Sequence, residues 1–299
     1  MTEPISSDDR QRRSAVRPPR RWLARVHTWT ALGLSLYVVM LSVTGSVIVF
    51  RRELNQWLVP RTVASTEGER LTGEMLRSAV ERLYTEHTVV EVREPQRVDR
   101  PVFVGLERNG ARDDRYFDPY AIQDLGSTYP DVLRAVEWLV DLHDNLLSGP
   151  EGRAVNGVGG ALVILLIVTG IVIWWPGWRR AWRSMLIGRP EASRRFAWQV
   201  HNAFGIWSFA LLFVWALTAV YFAFPDYFER GIDYFDVDKS DDYRPGEAVL
   251  LGMIQLHFGR FGGLSIRVLW FVLGLVPAAL FVTGFVLWWT RVVRRRARN

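Results

Sequence analysis

Four runs of this sequence are long and apolar enough to cross a bilayer, and a histidine stands at a repeating distance from each. The runs are about 27–50, 155–175, 197–224 and 268–289. A hydrocarbon core of about 30 Å needs roughly 20 helical residues. Thr44 stands at i+17 from His27, and Thr218 at the same i+17 from His201. Thr169-Gly170 begins at i+26 from His143, and Thr283-Gly284 at i+26 from His257. The chain is an internal duplication of a two-helix unit, and histidine is the polar residue that both copies keep. Only His87 of the five histidines lies outside the repeat; it reads as a surface residue.

Charge orients the spans. Residues 1–25 carry seven Arg against three acids, 176–195 carry six Arg against Glu191, and the tail after Thr290 carries five Arg and no acid. Between them, 51–154 hold 14 Arg against 19 acids, and 225–265 hold four basic residues against eight acids. Basic and acidic segments alternate as four spans require, so the positive-inside rule puts both termini and the middle loop in the cytoplasm. The basic clusters sit where topology needs them, and no nucleic-acid partner is implied. With no cysteine, disulfides, thiolate metal sites and cysteine-ligated iron–sulfur clusters are excluded. The first apolar run lacks a small-residue cleavage site and reads as a retained span.

The expected architecture is a mainly α membrane protein. Four transmembrane helices form the duplicated unit, and a small α+β domain is inserted between the first and second. In order, the expectation is a cytoplasmic tail (1–21), span one (22–50), the external α+β domain (51–129) and an interfacial helix (130–154). Span two (155–175), a cytoplasmic loop (176–196) and span three (197–224) follow. An external loop with its own interfacial helix (225–265), span four (266–290) and a tail (291–299) complete the chain. In the inserted domain, apolar positions 71, 75, 76, 79, 80 and 83 form a helical stripe. Strands are expected at 88–92, 102–107 and 115–117, followed by turn chemistry at Asp118-Pro119 and Gly126. Thr44-Gly45, Thr169-Gly170 and Thr283-Gly284 read as places where helices approach closely, with Thr218-Ala219 at the matching place in span three.

Topology gives each histidine a level. His27 and His201 open outward-running spans and belong to the cytoplasmic side. His143 and His257 precede inward-running spans and belong to the external side. The repeat is parallel, so a pseudo-two-fold axis along the membrane normal pairs His27 with His201 and His143 with His257. Two imidazoles on opposing helices, with no carboxylate at a matching position, suit a planar macrocycle with two axial ligands. A tetrahedral zinc would want four ligands on one level. Haem b, held non-covalently for lack of a Cys-x-x-Cys-His, is the cofactor this points to, one at each level. Arg21, Arg25 and Arg195 are placed for the propionates of the inner haem, and Arg153, Arg260 and Arg267 for those of the outer. Trp29, Tyr37, Trp207 and Trp215 are candidate relays between the levels, although packing explains them as well. The bland alternative makes the four histidines interfacial anchors.

The phrases HTWT…LSVTGSVIVFRREL, LHDNLLSG…VTGIVIWWP, HNAFGIWS and LHFGRFGG…VTGFVLWW together resemble the PepSY-associated transmembrane family, and YFDPYAIQDLG resembles a PepSY domain. The likeness covers nearly everything after residue 20. It implies a bacterial inner-membrane protein with a periplasmic PepSY module, haem in the membrane on His27, His143, His201 and His257, and reduction of ferric siderophores.

The expected function is therefore a di-haem b-type reductase. It carries electrons from a quinol or a partner reductase to a ferric siderophore or similar ferric chelate, in contact with membrane lipid. The cytoplasmic segments are too short for a flavin or nicotinamide domain and lack a Gly-x-Gly-x-x-Gly after a strand. The alternative is a non-catalytic membrane protein whose PepSY module binds or regulates a periplasmic partner. A transporter fits less well, because the spans carry few charges and no helix reads as broken at mid-membrane.

Overall fold

A computed structural model of the chain describes residues 18–175, 181–182, 185–188, 193–235 and 245–296. Residues 1–17 of the expected N-terminal tail and most of the arginine cluster in the middle loop lie outside the described residues, and 18–21 already belong to the first helix. The fold is mostly helical and divides into two compact units. One runs up to Val49 and resumes at Asp141; the other is Phe50–Val140.

The first unit carries the repeat. Its helices are α1 (Pro18–Gly33), α2 (Ser35–Ile48), the end of α5 (Asp131–Asn145), α6 (Gly149–Trp174), α7 (Ser193–Ala223), α8 (Pro225–Phe235), α9 (Pro245–Phe258), α10 (Leu264–Gly274) and α11 (Val276–Arg296). Among the described residues, three stretches are long and apolar enough to cross a membrane: Gly149–Trp174, Arg194–Ala223 and Leu264–Val293. A fourth exists if α1 and α2 are taken as one span bent by 60°.

That bend corrects the expectation of an unbroken first span. Leu34, between Gly33 and Ser35, has φ −89° and ψ 0°. Its ψ lies well away from the value of about −42° that continues an α-helix. One such residue between a glycine and a serine turns the axis. The break is invisible to hydropathy because every residue around it is compatible with a helix.

The fourth stretch is interrupted too, at Leu275 between α10 and α11. Pro277 has no N–H, so one ladder bond is lost. Beside it, Ser42 of α2 inserts its hydroxyl into the next bond. Ser42 Oγ donates to Gly274 O at 2.5 Å, and Ala278 N donates to Ser42 Oγ at 3.2 Å. A side chain wedged into the ladder in this way is a recognised cause of a kink. Gly274 makes room, since a Cβ there would lie 2.4 Å from Ser46 Oγ.

The most extensive helix contact in this unit is between α6 and α7. Glycines along α6 allow it. A Cβ on Gly157 would meet Ala223 Cβ at 2.4 Å, and one on Gly160 would lie 2.7 Å from Ala216 O. Small residues at such contacts let backbones approach where burial from water supplies no driving force.

Within 130–154 the helix ends just ahead of Ser148-Gly149-Pro150, whose residue types read as a helix break before the second span. The chain leaves α5 at Asn145 and reverses through Leu146, Leu147 and Gly149, all at positive φ (52°, 59° and 60°), before α6 begins. The reversal is tight enough that a Cβ on Gly152 would fall 1.7 Å from Asn145 O. No other residue fits there.

In the second unit, α3 (Arg51–Leu58) leads to α4 (Gly73–Leu83) and an antiparallel meander of β1 (Thr88–Arg93), β2 (Val102–Arg108), β3 (Ala111–Asp118) and β4 (Gln123–Ser127), in the order β1-β2-β3-β4. Leu76, Ala79, Val80 and Tyr84 of the helical side pack on Val89, Val102, Val104, Leu106 and Phe117. The period of two in β2 puts 102, 104 and 106 on the covered face. Asn109 and Gly110, at φ 53° and 77°, close the β2–β3 hairpin as a two-residue type I′ turn. Asp118, 2% exposed, accepts hydrogen bonds from the Tyr120 and Ala121 amides and shapes the turn after β3. Sequence patterning expected three strands. β4, reading QDLGS, has no apolar alternation, and its place in the sheet rests on pairing with β3.

Candidate functional site

Each of the four repeated histidines is held through Nδ1 by a threonine on another helix. His27 (α1) lies 3.0 Å from Thr169 Oγ1 (α6), and His143 (α5) lies 3.0 Å from Thr44 Oγ1 (α2). His201 (α7) lies 3.0 Å from Thr283 Oγ1 (α11), and His257 (α9) lies 2.5 Å from Thr218 Oγ1 (α7). The pattern is crosswise within each copy. A histidine before one span is held by the threonine near the end of the other, because antiparallel helices bring the start of one beside the end of the next. The i+17 and i+26 spacings thus encode two levels. Along α7, the step from His201 to Thr218 separates the levels by about 25 Å, at a rise of 1.5 Å per residue.

Across the copies, His27 lies within electrostatic range of His201, and His143 within range of His257. All four histidines are intermediate in exposure. His257 meets the Phe222 ring edge-on at 5.5 Å and the Phe258 ring at 5.1 Å.

The Thr-Gly motifs do more than pack helices together, which is all that the sequence suggested. The threonine is the histidine's partner, and the glycine clears space for the ring. A Cβ would lie 2.7 Å from His143 Cε1 at Gly45, 3.3 Å from His27 Cε1 at Gly170, and 3.3 Å from His201 Cε1 at Gly284. At the fourth motif, Ala219 stands in place of glycine, and Thr218, fully buried, still reaches His257. The signal was in the sequence: four threonines at fixed distances from four histidines. What the spacing alone did not supply was the crosswise partnership.

Asn156 Nδ2 donates to the carbonyls of His143 and Asp144, both at 2.7 Å. In the second copy the equivalent residue, 114 positions on, is Trp270, and its Nε1 donates to Leu256 O at 2.7 Å. Two different side chains at one repeat position thus tether the end of the histidine-bearing helix. Sequence reasoning passed over both, because neither residue type is kept between the copies.

The arginines expected near the sites fall in different settings. Arg21, Arg25 and Arg195 are exposed. Arg153 is paired with Asp144, next to His143, at 2.5 Å. Its repeat equivalent Arg267 is buried at 7% exposure, and the position matching Asp144 is Phe258. Arg260 lies over the Phe258 ring, 4.3 Å from its centre. Arg20, which the sequence did not single out, donates to the carbonyls of Ile173 and Trp175 and closes the end of α6. Of the aromatic relays, Trp29 and Trp207 are each 66% exposed, whereas the Trp215 indole N–H is buried.

Among the described residues no group of three or more His, Asp or Glu could hold a bare metal ion. What the fold offers is paired imidazoles at two levels of a helical, membrane-spanning unit.

That architecture defines a class, a polytopic helical protein with a duplicated histidine-bearing hairpin. The chain matches the model of the PepSY-associated TM region over residues 24–248 and 236–291, and it belongs to that family. No curated protein matches it.

Proposed function

We propose that this chain is a haem b-binding inner-membrane reductase. It would take electrons from a quinol or a partner reductase on the cytoplasmic side and deliver them to a periplasmic ferric chelate, of which a ferric siderophore is the leading candidate. The observation that carries the reading is the fourfold arrangement of imidazoles, each pinned through Nδ1 and within electrostatic range of an imidazole of the other copy. His27 and His201 would hold one haem, and His143 and His257 the other. The residues fit the group on three counts. The ligands come in twos, a threonine hydroxyl engages Nδ1 of each ring, and no carboxylate competes at the repeat positions. Bound haem would supply one-electron redox chemistry.

The chain's own part is to bind, orient and insulate. Each threonine fixes the plane of one imidazole, and the glycines after Thr44, Thr169 and Thr283 let three of the rings seat against a helix backbone. The paired aromatics around His257 keep its surroundings apolar. Exposed Arg21, Arg25 and Arg195 can meet propionates at the inner level. Arg153, paired with Asp144, would have to exchange that partner to do so at the outer level. A separation of about 25 Å along α7 gives the electron path its length. Iron(II) is held less tightly than iron(III) by hard oxygen ligands, so reduction outside the membrane would loosen a siderophore complex.

The full-length protein, purified from haem-replete cells, is expected to show a reduced b-type spectrum with about two haems per chain. A colourless preparation would overturn the reading and favour a PepSY protein that binds a periplasmic partner. Replacing His143 or His257 by Ala is expected to remove one haem and leave the His27/His201 pair loaded.

A further inference from the structure

We infer that Thr44, Thr169, Thr218 and Thr283 are positioning residues that hold the four imidazoles as the Nδ1–H tautomer and turn the Nε2 lone pair toward the ligand. The tautomer follows from the protein alone; the role given to Nε2 rests on the haem reading above.

A count of protons decides the tautomer. A threonine hydroxyl has one hydrogen to donate. Each of these four hydroxyls lies within hydrogen-bond distance of the carbonyl four residues earlier in its own helix. The distances are 2.8 Å from Thr44 to Met40 O, 2.7 Å from Thr169 to Leu165 O, 2.8 Å from Thr218 to Val214 O and 2.8 Å from Thr283 to Ala279 O. A carbonyl only accepts, so the hydroxyl proton is committed there, as in the back-bonding common for threonine within helices. The oxygen then presents lone pairs to Nδ1, and the ring must be the donor.

A second observation points the same way. His201 Nδ1 also lies 3.0 Å from Leu280 O, and His27 and His143 have the Leu166 and Leu41 carbonyls within reach. In each case that carbonyl lies three residues before the threonine. Since carbonyls cannot donate, Nδ1 carries the hydrogen, and a neutral imidazole then has its lone pair at Nε2. A ligating histidine whose other N–H is engaged is fixed in orientation and made more basic.

The four sites are not equal. Among the described contacts, His257 has Thr218 as its Nδ1 acceptor and no carbonyl beside it, and phenylalanine rings flank it. Its tautomer therefore depends on one hydroxyl, whereas the other three rings have a carbonyl in reserve. Thr218 is the sensitive brace.

The test uses the full-length chain with 15N-labelled histidine in lipid nanodiscs, made first in a haem-deficient host and then loaded with haem b. In the haem-free chain, four histidines are expected to show protonated Nδ1 and bare Nε2. Thr218→Val is expected to release that state at His257. In the loaded chain it is expected to weaken retention of one haem by about 10- to 100-fold and to raise that haem's midpoint potential, because a less basic ligand favours the ferrous state. Thr218→Ser is expected to restore both readings, and Thr283→Val to give a smaller change. Nε2–H tautomers in the haem-free chain, or a Thr218→Val potential equal to that of the parent, would overturn the inference. If the chain shows the Nδ1–H tautomers yet takes up no haem, the tautomer stands while the reductase reading and the ligand role of Nε2 fall.

Discussion

Gly45 shows how narrowly single residues define the His143/His257 level. A Cβ at this position would meet His143 Cε1 at 2.7 Å, closer than real contacts come. The ring cannot withdraw without losing Thr44, one residue away. Gly45→Ala is therefore expected to cost about 1–3 kcal/mol of stability from overpacking and to impair cofactor retention at the His143/His257 level. At Gly170 and Gly284 the gap is 3.3 Å, and the same substitution should be milder. Haem content per chain for the three variants, measured side by side, checks the order; equal losses at all three positions would refute it. The residue scale was partly legible. Four histidines and four threonines at two spacings stood out. That each threonine serves the histidine of the other helix in its copy was hidden, since spacing along one helix says nothing about which helix faces it.

At the scale of elements, the two interrupted spans carry the asymmetry of the duplication. Ser42 of α2 inserts into the α10–α11 junction, between Gly274 O and Ala278 N. The repeat equivalent of Ser42 is Ala216, and it faces Gly160 of the uninterrupted α6. One copy thus has a hydroxyl wedge and an interrupted partner helix, and the other has alanine at the matching position and an uninterrupted one. Ser42→Ala removes a bridge to two backbone groups and is expected to lower stability by about 1–3 kcal/mol, read as a reduced unfolding midpoint of the detergent-solubilised chain. An unchanged midpoint would mean that the hydroxyl is incidental to the junction. Hydropathy could not have found either break, because apolar helices tolerate Gly33, Ser35 and Pro277 whether the axis runs straight or bends. Nor did apolar runs reveal α8, whose PDYFERGIDYF sequence mixes aromatic residues with charge.

The whole molecule is two compact units, of which Phe50–Val140 has a core of its own, and this sets what each perturbation should reach. Leu76 is fully buried in the α4–sheet core. Leu76→Ala should cost that unit about 2–5 kcal/mol, visible as earlier proteolysis within 50–140, while any haem spectrum of the histidine-bearing unit stays intact. A spectrum lost together with the module would show the two to be interdependent. The absence of cysteine also makes the proposed topology simple to check with single thiols. On intact cells permeable only at the outer membrane, a membrane-impermeant maleimide should label Ser65→Cys and spare Ser7→Cys. The reverse pattern would invert the orientation drawn from the arginine bias.

The amino-acid sequence by itself determined the duplication, the apolar stretches and the two spacings that set histidines and threonines apart along the chain. These depend on composition and on distance along the chain, which a helix converts directly into height. The helix and central strands of the inserted domain were legible for the same reason, as periods of 3.6 and 2 in apolar residues. Tertiary structure alone decided which hydroxyl meets which imidazole, where Ser42 enters another helix's ladder, and that QDLGS is a strand. Each of those is a contact between segments far apart in the chain. It depends on the rotation of one helix about its axis, or on the pairing of one strand edge with another, and neither leaves a periodic mark in the sequence.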